Sequence, residues 1–338
     1  MSLEVLWFVV IGFFWTGFFV LEGFDFGVGM LHRSVGRTEG ERRAAVASVG
    51  PLWDGNEVWL IVGGAAIFAA FPAWYATWFS AAYLAVMLLL VALIIRGVSF
   101  EWYGRGDGDR WRGTWSWALT IGSTLIPLVL GIALGDLLTG LPIDDDEQFT
   151  GSVWDLFTPY GVWMGVTLVL LSLLHGSTFL GLRTTGVLHE RAHATARRLS
   201  WPAVVVVAVF AAWTVAVSDG GAWRSAAAVV PALGALAAAL LLRAGREGGS
   251  FTGTAVAIGG SVAALFANLY PQVMVSSTDP TYSLTVSGAA SSEYALKVMT
   301  VVAAVVTPLV LLYQGWSYWV FRARVTASPE PVEVEVGS

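Results

Sequence analysis

Long apolar runs separated by short polar connections dominate the chain. A hydrocarbon core about 30 Å thick takes roughly 20 mostly apolar residues per helix. Nine runs approach that length: Leu3 to Met30, Val58 to Phe71, Trp74 to Trp102, Thr114 to Leu138, Pro159 to Leu182, Trp201 to Val217, Trp223 to Leu242, Thr252 to Tyr270 and Ala295 to Phe321. The second is short and is expected to start nearer Trp53, with Gly55 breaking its first turn and Pro72 marking its far end. The pattern predicts an all-α polytopic membrane protein of about nine transmembrane helices. Gly-rich, Phe-containing runs, Gly23 to Gly29 and Gly176 to Gly181, close the first and fifth helices at one membrane face. This faint repetition suggests two four-helix units plus one peripheral helix. Residues 1–327 read as one transmembrane domain. Residues 328–338, with two Pro, three Glu and no apolar periodicity, read as a short disordered tail.

The polar connections test the helix count independently, because cytoplasmic loops carry the excess of Arg and Lys. Odd-numbered connections hold Arg33, Arg37, Arg42 and Arg43; Arg105, Arg110 and Arg112; Arg183, Arg191, Arg197 and Arg198; and Arg243 with Arg246. Arg322 and Arg324 follow the last run. These are 15 of the 18 basic residues, whereas the fourth connection holds Asp144, Asp145, Asp146 and Glu147. The alternation places the amino terminus outside and the carboxyl terminus in the cytoplasm. The first run has Glu4 and no basic residue before it, so it lacks the n-region of a signal peptide and reads as a retained helix.

Composition narrows the chemistry. The 338 residues are 56% hydrophobic and 12% charged, with 17 Trp and a mean hydropathy of +0.70. Such a chain has lipid for most of its solvent, and nucleic acid is excluded as a partner. There is no Cys, which removes disulfides, iron–sulfur clusters, zinc ribbons and thiolate copper sites. The many Trp, such as Trp74, Trp78, Trp111, Trp115, Trp117 and Trp319, read as interfacial anchors at helix ends, with a quinone stacking site among them as the sharper alternative.

Ionisable residues inside membrane helices each cost roughly 2.5 to 3.5 kcal/mol on insertion scales, so each is a functional candidate. Glu22 and Asp25 lie three apart on one face of the first helix. Gly50-Pro51-Leu52-Trp53-Asp54-Gly55-Asn56-Glu57 opens the second, and Arg96 and Glu101 lie near the end of the third. All converge on the cytoplasmic half. Carboxylates beside one guanidinium at one membrane face can line a hydrated proton path. They can equally be a helix lock in which Arg96 neutralises one or two acids, with Glu57 and Glu101 snorkelling to the interface. His175 is the one His placed clearly within a run. Haem ligation is open to it, and a hydrogen-bonded helix contact is the commoner role. Asp136 is expected to reach water at the outer end of the fourth helix and is assigned no chemistry.

The motifs carry a resemblance. Glu22-Gly-Phe-Asp25-Phe-Gly-Val-Gly-Met30, Trp53-Asp-Gly-Asn56-Glu-Val-Trp-Leu-Ile61, Ala66-Ile-Phe-Ala-Ala-Phe-Pro72 and Leu174-His-Gly-Ser-Thr-Phe-Leu180 resemble subunit II of the bacterial cytochrome bd-type quinol oxidase. Val273-Met-Val-Ser-Ser-Thr278, Val298-Met-Thr300, Leu311-Leu-Tyr313 and Tyr318-Trp319 extend the likeness over nearly the whole chain, and the Trp-Asp-Gly-Asn element is its most specific part. The resemblance implies a multi-pass protein of the bacterial plasma (inner) membrane, in a heterodimer whose subunit I carries haem b, haem d and the quinol site. This chain would bind no haem itself. Its family stabilises the haem subunit and contributes acids to proton uptake for reduction of dioxygen to water in the respiratory chain. The complex oxidises ubiquinol or menaquinol electrogenically, without pumping. Some members hold a structural quinone, and a small single-helix accessory subunit accompanies some complexes. Asp25, Asp54 and Glu101 match the family's acidic positions and Arg96 its buried Arg, with Glu22 on the same motif and Trp53, Asn56 and Glu57 as supporting residues. On this basis Asp54 and Glu101 are expected to take protons from cytoplasmic water and Asp25 to pass them to the partner. Two departures are present: Ser116 stands where other members can carry an acid, and the connection Ser218 to Ala222 is short. The competing classes are a proton-coupled secondary transporter and a purely structural membrane scaffold.

Overall fold

The structure is a computed structural model that describes residues 1–106, 108–218 and 220–326. The tail expected at 328–338 lies outside the described residues, as does Asp219 in the short connection. The described residues form eleven α-helices: α1 (Leu3–Val35), α2 (Glu39–Ala47), α3 (Trp53–Ala70), α4 (Pro72–Ala81), α5 (Tyr83–Trp102), α6 (Asp109–Thr139), α7 (Pro159–Arg183), α8 (Gly186–Val217), α9 (Ala222–Arg243), α10 (Glu247–Leu269) and α11 (Glu293–Val320). A two-stranded antiparallel hairpin, β1 (Gln272–Met274) with β2 (Leu284–Thr285), lies between α10 and α11.

Eight helices, α1 and α5 to α11, are long and apolar enough to cross a membrane. The ninth crossing is α3. Its opening turns carry Asp54, Asn56 and Glu57, which lowers its apolarity, yet its 18 residues rise about 27 Å and join two opposite loop layers. At one end Asn56 accepts from Tyr318, near the end of α11; at the other the Ala70 carbonyl accepts from the Ser291 N–H, just before α11 begins.

Three expectations change. The run at 74–102 is two helices, because Pro72 starts α4 at its first position and the chain turns again at Ala82 before α5. The first helix continues beyond Met30 to Val35, where Leu31 and Val35 still pack inward, and this added turn buries His32. Trp74 and Trp78 are interior, stacked on each other with ring centroids 6.0 Å apart, whereas Trp117 and Trp319 are exposed as anchors should be.

Helix packing follows the small residues. Gly131 and Gly135 of α6 meet Gly165 and Gly161 of α7 in antiparallel register, each pair four apart, so two helices with small residues on facing ridges approach at backbone distance. The parallel helices α1 and α7 cross at Gly27 and Gly176, the Gly-rich runs of the sequence. Helices α1, α3, α5 and α6 and helices α7 to α10 make two groups, joined by α6 and α1 against α7 and by α1 against α10. Helix α11 lies outside both. Its inward stripe, Leu296, Ala303, Gln314 and Tyr318, is narrow, and its remaining apolar surface is exposed.

On the Arg-rich side, α2 is held by a capping box between Thr38 and Glu41, and Arg191 of α8 donates to Glu41 at 2.7 Å. Burial acts to raise the Glu41 carboxyl, but the N–H groups of Thr38 and Arg37 and the Arg191 guanidinium outweigh it and hold the group below its ordinary value. A depressed carboxylate contributes stability above its unfolded pKa, about 4.3, and loses it as pH falls through the folded value. Protection of the α2 amides, measured against an unstructured peptide at the same pH, is therefore expected to fall on acidification below about pH 4. Glu41→Gln should show the lower protection already at neutral pH; unchanged protection would mean that Arg191 does not secure α2.

Candidate functional site

Three helices bring the intramembrane charges together. Helix α1 presents Glu22 and Asp25 on one face, α3 opens with Asn56 and Glu57, and α5 brings Arg96 in from its last turns. Glu22, Asp25, Asn56 and Arg96 are fully buried. Arg96 can enter because Gly122 of α6 faces it: a β-carbon at Gly122 would lie 2.9 Å from the Arg96 β-carbon. Its guanidinium lies over the rings of Phe26 at 4.8 Å and Phe100 at 5.0 Å, where it gains from both ring faces.

The charges are graded in exposure. Arg96 Nη2 is 2.5 Å from Glu22 Oε1, and Nη1 is 3.7 Å from Glu57 Oε2. The Glu57 side chain is 19% exposed, and Asp54, one turn earlier, is exposed. A file of charged side chains thus runs from exposed Asp54, past Glu57 and Arg96, to buried Glu22 and Asp25. Asp25 Oδ2 accepts from Asn56 Nδ2 at 2.6 Å. Its other oxygen, with Glu22 Oε2, has no hydrogen-bond partner among the described residues. Buried polar atoms of this kind are ordinarily satisfied by ordered water.

Not every sequence candidate joins this file. Glu101, 60% exposed, pairs with Arg105 one turn on, at 3.2 Å. Trp53 stacks on Phe100 with centroids 4.9 Å apart and so walls the Arg96 side of the cluster. Glu57, expected to snorkel, instead faces Arg96. Asp136, expected to reach water, is 1% exposed and accepts from the Thr158 hydroxyl at 2.5 Å, because the connection ahead of α7 folds back over it. Ser116 is buried and bonds His32 Nε2 at 2.7 Å and Arg33 at 3.0 Å.

Two residues of the cluster escape the sequence reading. Gln314 and Tyr318 of α11 both donate to Asn56 Oδ1, each at 2.8 Å. Their signal was available: Gln314, Ser317 and Tyr318 fall at i, i+3 and i+4 spacing on an otherwise apolar helix.

Cofactor fit separates into two cases. The His175 nitrogens are both engaged, Nδ1 with the Thr254 hydroxyl at 2.7 Å and Nε2 with the Val20 carbonyl at 3.1 Å, and the ring stacks on Phe251 at 4.4 Å. That site does not fit a haem. His32 is likewise engaged at both nitrogens, and among the described residues no group of three His, Asp or Glu is arranged to hold a metal ion. By contrast, a cavity of about 780 Å³ opens between α3 and α5, running from Asp54 and Glu57 to Tyr75 and Trp78 along walls that include Val58 and Leu93. Trp15 and Trp78 line it with ring carbon only, since their indole N–H groups, which have no acceptor among the described residues, are themselves buried. Its volume and apolar walls fit a long apolar molecule.

A model of the family described as cytochrome bd terminal oxidase subunit II matches residues 3–321. Subunit 2 of a cytochrome bd ubiquinol oxidase from Bacillus subtilis is 42% identical over 329 residues, covering 96% of this chain and 97% of the relative. Subunit 2 of the Escherichia coli K12 cytochrome bd-I ubiquinol oxidase is 37% identical over 361 residues, covering 96% and 95%. A chain from the structure of bd oxidase from Geobacillus thermodenitrificans superposes with a TM-score of 0.72 at 19% identity, covering 95% of this chain and 97% of its own length.

Proposed function

The chain belongs to the cytochrome bd terminal oxidase subunit II family, and on that membership we propose that it is the non-haem subunit of a quinol:dioxygen oxidoreductase. In this reading it sits in the bacterial plasma membrane beside a haem-bearing subunit I, stabilises that subunit and supplies it with protons. In the overall reaction two quinols give up four electrons and four protons, and dioxygen takes four electrons and four protons to make two waters. The family's charge separation requires the protons consumed to come from the cytoplasm and those of quinol to leave outside. The observation that carries the role of this chain is the graded file from exposed Asp54 to buried Asp25.

The Arg-rich loops assign the Asp54 side to the cytoplasm. Asp54 collects protons, Glu57 receives them one turn deeper, and Glu22 and Asp25 hold them in turn. Arg96 keeps this row of acids from repelling its own charge. Glu101 contributes from the surface by raising the local concentration of protons, outside the file itself. The inner end lies against α11, whose unburied apolar face is the docking surface for subunit I, so Asp25 delivers toward the partner. The haem b and haem d of the complex belong to that partner, which supplies the redox chemistry. The apolar cavity between α3 and α5 would hold the hydrocarbon tail of a structural quinone.

Asp25→Asn tests the path. General acid–base steps of this kind contribute on the order of 10²–10⁴ in rate, so the purified complex is expected to keep its haem spectrum and lose at least about tenfold of quinol-dependent oxygen uptake. Full turnover with intact haems would return the chain to a scaffold role.

A further inference from the structure

We infer that Gln314 and Tyr318 are positioning residues for Asp25, acting through the Asn56 amide; this rests on the proton-path reading above. An amide side chain has a donor end and an acceptor end, and its orientation is fixed by what surrounds it. Around Asn56 the surroundings are unambiguous. Its oxygen receives the Gln314 amide and the Tyr318 hydroxyl, and its nitrogen therefore aims at Asp25 Oδ2 and at the Leu21 carbonyl, 3.2 Å away. Turned over, Asn56 would set its oxygen against the Leu21 carbonyl, which can only accept, and Gln314 and Tyr318 would lose the oxygen they share. The Tyr318 ring is itself held edge-on to Phe24, with centroids 6.3 Å apart at 89°.

The consequence for Asp25 is chemical. One of its oxygens is committed to a donor that cannot give up its proton, which leaves Oδ1 as the oxygen that takes and releases the transported proton. A single competent oxygen fixes the point from which the proton is handed on. Without the two donors from α11, Asn56 is held by its nitrogen end alone, its grip on Asp25 Oδ2 loosens, and transfer toward the partner slows. Both donors belong to the least buried helix of the fold, so whatever packs on the outer face of α11 bears on the orientation of Asn56.

The test uses the purified two-subunit complex with Tyr318→Phe, Gln314→Leu and the double variant, beside Asp25→Asn. Infrared difference spectra on reduction identify the Asp25 carboxyl band as the one absent in Asp25→Asn. The double variant is expected to keep haem content and the KM for quinol, to lose about fivefold or more in kcat, and to shift that band; each single variant should fall between. An Asp25 band and a kcat both unmoved in the double variant would overturn the inference. A band that shifts while turnover stays full in the double variant and in Asp25→Asn alike would overturn the path reading and the positioning role with it. Where the double variant fails to assemble, Tyr318→Phe, which removes one oxygen atom, carries the same two readouts.

Discussion

Gly27→Leu is expected to abolish recovery of the assembled oxidase, the largest effect foreseen for a change that removes no charge or hydrogen bond. At the crossing of α1 and α7 a β-carbon on Gly27 would lie 2.7 Å from the Gly176 α-carbon and collide with the Ser172 carbonyl oxygen. Both obstacles are backbone, so no rotamer change relieves them. Overpacking in a core that can adjust costs about 1 to 3 kcal/mol; here the two helices must part, and the separation spreads to Asp25, two residues away on α1. Gly27→Ala should already lower the thermal stability of the purified complex by several degrees, a shift of the size that about 1 to 2 kcal/mol produces. An unchanged melting temperature for Gly27→Ala would mean that the α1–α7 crossing is looser than its geometry states. Gly64 is the control: nothing lies within 4 Å of a β-carbon built there, and Gly64→Ala should be silent.

Arg96→Leu should come close to the same loss by a different route. Removing one partner of a buried ion pair strands the other, at about 3 to 5 kcal/mol, a large share of the 5 to 15 kcal/mol by which a typical protein is stable. Glu22 is the group stranded, with Glu57 next. The expected readout is haem d absorbance per tagged subunit, reduced severalfold. Glu22→Gln combined with Arg96→Leu removes both charges of the closest pair and should restore assembly in large part, since replacing a buried pair by uncharged groups is often near neutral. Restored assembly without restored oxygen uptake would separate the locking role of Arg96 from its role in the proton file. Failure of the double variant to assemble would instead place the demand for Arg96 on Glu57 or Asp25.

The helices were legible in the sequence because lipid imposes a length on each of them, and their alternation because arginines mark one face. What escaped followed from contacts that no local pattern encodes. The run at 74–102 is apolar throughout, and its division depends on Pro72 and on how α4 seats Trp74 and Trp78 among the aromatic residues of α1. Asp136 looks solvent-bound by its place at a helix end, and only the return of the chain at Thr158 buries it. The acid cluster was legible as a set, since Glu22, Asp25, Asn56, Glu57 and Arg96 all lie in apolar surroundings. Glu101 carries the same charge one turn beyond Arg96 and lies outside, because a single turn of α5 moves it from the packed face into water. Gln314 and Tyr318 lie some 260 residues from Asn56, and that pairing is a property of the tertiary fold.

The peripheral placement of α11 has a bearing on how the protein is made. Synthesis runs from Met1 onward, so Glu22, Asp25, Asn56, Glu57 and Arg96 are all in the membrane before the last helix leaves the ribosome. Until then the Asn56 oxygen lacks both of its donors, and the acids share a pocket open along one side. Docking of α11 closes that side, ties Asn56 and sets the Val325 N–H on the Arg183 carbonyl at 2.7 Å. Biogenesis therefore finishes the cluster with its final helix.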